Sequence, residues 1–110
     1  MKKILTLLGF AKKAKKLVTG SNAVLRSILY GESYLVIVNE DAGKSVKDKF
    51  QRICSENEVR FYILGDSKEF SKATGEENKV IYSVTEEGFA KKISTIVAEM
   101  KDFNGGAVIE

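Results

Sequence analysis

The chain has no histidine, no proline, no tryptophan and a single cysteine among its 110 residues. Without histidine it lacks the commonest metal ligand and the side chain best suited to general-base work near neutral pH. The one cysteine, Cys54, excludes an internal disulfide framework and a clustered thiolate site. Its spacing from Val46, Phe50 and Ile53 is that of an inner helix face, so it reads as a packed thiol and not as a nucleophile. No metal and no other cofactor is expected. The absence of proline and of low-complexity runs argues against a linker between domains. No apolar run approaches the ~20 residues needed to cross a bilayer. Met1 to Leu8 carries no small-residue cleavage signature, so a cytoplasmic protein with no membrane partner is expected.

Acid is missing locally as well. Residues 1 to 31 hold Lys2, Lys3, Lys12, Lys13, Lys15, Lys16 and Arg26 and no aspartate or glutamate, a charge of +7 hidden inside a formal total of +3. All 15 acidic residues lie in the remainder. A segment so polarised, if it folds onto one face, suits a polyanion.

The apolar pattern alternates helix and strand. Ile4, Leu7, Leu8, Ala11 and Ala14 recur at helical steps, giving an amphipathic helix over 3–16 with Lys12, Lys13 and Lys16 outward. Leu17 to Thr19 is a short strand-like run, and Gly20 leads into a helix N-capped by Ser21, with Val24, Leu25 and Ile28 inward and Tyr30-Gly31 ending it. Tyr34 to Val38 is apolar throughout, the mark of a strand buried on both faces. A polar loop, Asn39 to Gly43, precedes a helix through Cys54. A strand follows over Val59 to Leu64, and then a short helix capped by Asp66. The loop Thr74 to Lys79 leads to a strand over Val80 to Val84 and to a last helix capped by Thr85. The expected class is α/β, a three-layer α/β/α sandwich with a mixed sheet of about four strands. A single domain spans 1–101, and 102–110, with Gly105-Gly106, is a flexible tail offering no partner for Val108 and Ile109. Strand-to-helix connections gather at one sheet edge, which brings Gly20-Ser21-Asn22, the Asn39–Gly43 loop and the Thr74–Lys79 loop together.

The candidate site is the turn Gly20-Ser21-Asn22. A glycine before a helix lets backbone approach another molecule, and the free N–H groups of a first helical turn favour an anion. Asn22 and Arg26, four apart, share the outward face, an amide for a base edge beside a guanidinium for a phosphate. Lys12, Lys13, Lys16, Asn39 and Lys79 complete the candidate nucleic-acid-binding set. An enzyme reading finds Glu40 and Asp41 at a strand's carboxyl end, but no third carboxylate from the acid-free first 31 residues. No catalytic residue and no small-molecule substrate is expected.

Val18-Thr19-Gly20-Ser21-Asn22-Ala23-Val24-Leu25-Arg26 resembles the RNA-contacting turn of the ribosomal protein superfamily of L7Ae and L30e. Leu8 to Ala14, Leu35 to Ala42, Gly65-Asp66 and Val84 to Ala90 resemble its bacterial YlxQ- and YbxF-type members, in order and with matching gaps. The resemblance implies an α/β/α RNA-binding protein, ribosome-associated, for structured RNA (ribosomal or kink-turn-like), with ribosomal proteins as further partners. In that scheme Gly20 allows close approach, Asn22 reads a guanine edge, and Arg26 and nearby lysines hold phosphates. Position 23 is alanine where characterised binders carry glutamate or glutamine, and Glu76 and Glu77 stand where those binders present a mainly apolar loop. The alternative within the superfamily is a protein-interaction module with only non-specific RNA affinity.

Overall fold

A computed structural model describes residues 1–100 and the two-residue strand Val108–Ile109. In chain order the elements are α1 (Lys2–Lys13), β1 (Leu17–Thr19), α2 (Ser21–Leu29), β2 (Leu35–Val38), α3 (Lys44–Glu56), β3 (Arg60–Ile63), α4 (Ser67–Thr74), β4 (Ile81–Val84), α5 (Glu87–Glu99) and β5 (Val108–Ile109). The sheet order is β1-β4-β2-β3-β5. β4 runs antiparallel to both β1 and β2, while β2 and β3 are parallel. The carboxyl ends of β1, β2 and β3 and the beginning of β4 therefore share one sheet edge.

Period-two alternation divides the strands between two cores. Leu35 and Ile37 join Ile4, Leu8 and Ala11 of α1, Phe70 of α4, and Ala90, Ile93 and Val97 of α5. Val36 and Val38 face the other way, onto Val24 and Ile28 of α2 and Phe50, Ile53 and Cys54 of α3. All four residues of β2 are buried, as a central strand covered by helices on both faces must be. The result is an α/β/α sandwich on a mixed four-strand sheet, extended by β5, whose Val108 and Ile109 pair with Tyr62 and Phe61. Those two residues thus have a backbone partner that the sequence did not name. The expected boundary at 101 and the rest of the tail 102–110 lie outside the described residues.

Three local expectations are corrected. α1 ends at Lys13, not at 16, because the chain reverses through Lys15 at φ 61 and Lys16 already belongs to the sheet margin, its carbonyl accepting from Thr85 N at 2.9 Å. That bond also holds Thr85 at the sheet margin, and Glu86 is the cap of α5, its carboxylate accepting from Phe89 N at 2.8 Å. Ser21 is the first residue of α2 and not its cap. Gly20 fills that place at φ 90, ψ 152, its carbonyl accepting from Val24 N at 3.0 Å. By contrast Asp66 caps α4 as expected, accepting from Glu69 N at 2.8 Å.

Candidate nucleic-acid interface

Gly20 is held in place by the sheet: its N–H donates to Ile81 O at 3.1 Å where β1 meets β4. Its backbone angles lie in a region nearly reserved for glycine. With no side chain at the cap, no side chain among the described residues accepts a hydrogen bond from the first N–H groups of α2. Ser21, Asn22 and Arg26 are all exposed on the helix that follows. α2 is fixed from below by Val24 and Ile28 in the core and by a buried hydroxyl chain. Ser27 Oγ lies 3.0 Å from Ser83 Oγ, and Ser83 Oγ lies 2.7 Å from Ser33 Oγ. Asn22 therefore projects from a rigid support.

The loop from Thr74 to Lys79 closes on the turn. Lys79 Nζ comes within 3.4 Å of where a Cβ on Gly20 would stand. The Lys79 carbonyl accepts from Tyr82 Oη at 3.0 Å, and the Tyr82 ring packs on Phe70 with centroids 5.0 Å apart, so the loop is pinned to the core. Burial pushes the Tyr82 phenol up to about 12, with Asp41 and Glu76 adding to the shift, so it stays a neutral hydrogen-bond donor. On the same side Glu76 forms an ion pair with Lys12 and accepts from Thr19 Oγ1 at 3.1 Å. The Lys12 ammonium and then the Thr19 hydroxyl hold the Glu76 carboxyl below its ordinary range. Neither Thr19 nor Glu76 was among the site residues read from the sequence. No sequence spacing marks a pair 57 positions apart; the β1–β4 register brings them together.

The Asn39–Gly43 loop reaches the same edge, as expected. Glu40 N donates to Gly65 O at 2.8 Å, and Asp41 accepts from Ser67 N at 2.9 Å and Ser67 Oγ at 2.5 Å. The Ser67 hydroxyl leads the causes that lower the Asp41 carboxyl. The loop is thereby stitched to the start of α4. Asn39 itself is corrected as a surface contact. It is fully buried, its amide donating to Leu64 O at 3.3 Å while Oδ1 finds no partner among the described residues. Packing between β2 and β3 has turned it inward, where it supports the edge without reaching a ligand.

The structure thus brings Gly20, Ser21, Asn22, Lys12 and Lys79 to one edge, with Arg26 exposed about one turn further along α2. Lys16 lies at the opposite end of β1, beside Thr85, and Lys13 is exposed on the last turn of α1. The +7 segment is not gathered on a single face either. Lys2 and Lys3 stand at the other end of α1, about 15 Å from Lys12 by the helical rise, where Lys3 shares a groove with Leu7, Lys91, Lys92 and Ile96 of the α1–α5 pair. Cys54 is buried on the inner face of α3, and burial pushes its thiol up to about 12, out of nucleophilic range. Among the described residues no three His, Cys, Asp or Glu side chains form a metal-holding group, and no helix is long and apolar enough to cross a membrane.

The chain is similar to the RNA-binding protein YlxQ of Bacillus subtilis strain 168, with 30% identity over 91 residues covering 83% of this chain and 91% of that protein. It is equally similar to RNA-binding protein YlxQ of Enterococcus faecium, 30% identical over 95 residues covering 86% and 91%. A solved protein of unknown function from Bacillus halodurans superposes with a TM-score of 0.85 at 30% identity, over 89% of this chain and 99% of that one. The Giardia lamblia 15.5kD RNA binding protein shares the fold, with a TM-score of 0.75 at 17% identity over 92% and 87%. Residues 2–94 match the ribosomal protein L7Ae/L30e/S12e/Gadd45 family, and with fold, order of motifs and family match in agreement, the chain belongs to that family.

Proposed function

We propose that this protein is a non-catalytic RNA-binding protein that recognises structured RNA of the kink-turn type at the Gly20-Ser21-Asn22 turn, with the ribosome as its setting. The observation that carries the reading is the exposed Asn22 amide on the first turn of α2, directly after a cap whose backbone only glycine adopts comfortably, with Lys79 beside it. Bacterial relatives named as RNA-binding proteins support the same reading.

The chemistry divides into two parts. Asn22 offers both a donor and an acceptor to a base edge, and Gly20 removes the Cβ that would hold the backbone away from it. Arg26, Lys79 and Lys12 supply positive charge for flanking phosphates, and the open N–H groups of α2 add a fixed partial positive charge. A regular A-form major groove is too narrow and deep for a helix end, which favours a distorted RNA site such as a groove opened by a kink.

The test is a titration of a kink-turn RNA, an unkinked duplex of equal length and a single strand, each at two salt concentrations. Preferential binding of the kinked RNA is expected, and Asn22→Ala should remove about 1–3 kcal/mol of that preference while leaving duplex binding nearly unchanged. Equal weak binding to all three RNAs would favour the protein-interaction reading. The observation on that side is the apolar surface at the α2–β2 connection, where Leu29, Tyr30 and Tyr34 are exposed.

A further inference from the structure

We infer that Glu76 is a built-in competitor for RNA at this site: in the free protein its carboxylate fills an anion seat made by Lys12 and Thr19, and an RNA phosphate gains that seat only by displacing it. The inference rests on the RNA-binding reading and deepens it.

Three observations meet at this side chain. Glu76 is paired with Lys12, accepts from the Thr19 hydroxyl at the end of β1, and lies in the same loop as Lys79, whose ammonium reaches Gly20. A cation and a hydroxyl converging on two carboxylate oxygens make a small anion seat, already filled from within. Its occupant is tethered but not sealed in, since the Glu76 and Lys12 side chains keep 25% and 40% of their exposure. The seat adjoins Gly20 through Thr19, its chain neighbour.

The consequence is a common penalty on RNA affinity. An ion pair still open to water is weak, so a ligand with several good contacts breaks it readily. Any RNA gains Lys12 only by giving up the Glu76 pair, and its net return from that contact is small. Glu76 therefore lowers the affinity of kinked and unkinked RNA alike wherever a phosphate takes the seat. The neighbouring Glu77 is exposed and makes no ion pair among the described residues, so it carries the same charge without the contact.

Glu76→Gln and Glu77→Gln change the net charge equally, and comparing them isolates the contact. Affinities of wild type and both variants for a kink-turn RNA and for an unkinked duplex of equal length are measured across a salt series, with thermal melts confirming that each variant folds. Glu76→Gln is expected to tighten both RNAs about 3- to 10-fold, with a salt slope steeper by about 0.7–0.9. Glu77→Gln is expected to do neither, and Lys12→Ala added to Glu76→Gln should return both affinities to near the wild-type values. Equal tightening by both glutamine variants, or no tightening by Glu76→Gln of an RNA that the wild type binds, overturns the role of Glu76 while the RNA-binding reading stands. If wild type binds neither RNA and Glu76→Gln remains equally inert, the RNA-binding reading itself falls and this inference with it.

Discussion

At Gly20 one residue answers to two demands, since its backbone angles let the chain pass from β1 into α2 and its missing side chain leaves the turn open beside Lys79. Gly20→Ala is expected to destabilise the fold by about 1–3 kcal/mol, because φ 90 with ψ 152 is costly for any residue with a Cβ. A drop in thermal midpoint together with loss of kinked-RNA preference would be measured; an unchanged midpoint would mean that the turn relaxes at no cost. Gly65 is tighter still, as a Cβ there would stand 2.4 Å from Phe70 Cε1, and Gly65→Ala should lower the midpoint more than Gly20→Ala does. Asn22 differs from both: it is exposed and bears no packing, so its removal should be silent in a melt and visible only in binding. Asn39 shows what a residue-level reading misses. A polar side chain after a buried strand suggests a loop contact, but it is the neighbouring β3, remote in sequence, that turns it inward onto the Leu64 carbonyl.

Elements were legible from the sequence where a periodicity ran long enough, and less so at their ends. The inner stripes of α1, α3 and α5 and the continuous burial of β2 follow from spacing alone. Caps depend on which backbone groups tertiary pairing has already taken, and so Thr85, bonded to Lys16, gave way to Glu86. Asp66 has no such competitor, and Asp66→Ala should cost about 1 kcal/mol by leaving the first turn of α4 uncapped. The clamp between the Asn39–Gly43 loop and α4 makes a second, pH-dependent prediction. Asp41 is held below its ordinary 3.8 by Ser67, so the ionised form is favoured by folding. Its contribution is complete above the unfolded-state value and disappears as pH falls through the lowered folded one. Glu76, lowered by Lys12 and Thr19, acts with the same sign from an ordinary value of 4.5. Thermal midpoints should therefore decline on acidification through this range, and Asp41→Asn should flatten the decline while lowering the plateau at neutral pH. An Asp41→Asn curve parallel to wild type would remove the clamp from the account.

Across the whole molecule, charge is distributed by the run of α1 and not by position in the sequence. An acid-free leading segment suggested one cationic face, but a 12-residue helix carries its two lysine clusters to opposite ends, and Glu76 then neutralises part of the cluster nearer the turn. Net charge and local field are thus separable by mutation. Lys2→Ala/Lys3→Ala and Arg26→Ala/Lys79→Ala each remove two positive charges, yet only the second pair flanks the Gly20-Ser21-Asn22 turn, Lys79 beside Gly20 and Arg26 one turn along α2. Counterion release counts phosphates actually contacted, at about 0.7–0.9 in log–log salt slope for each. The second pair should therefore flatten the slope for kinked RNA by about 1.4–1.8, while the first should leave it within error and shift affinity only slightly through long-range attraction. Equal flattening by the two pairs would mean that RNA meets the molecule as a diffuse cation, and the Gly20 turn would lose its claim to be where recognition occurs.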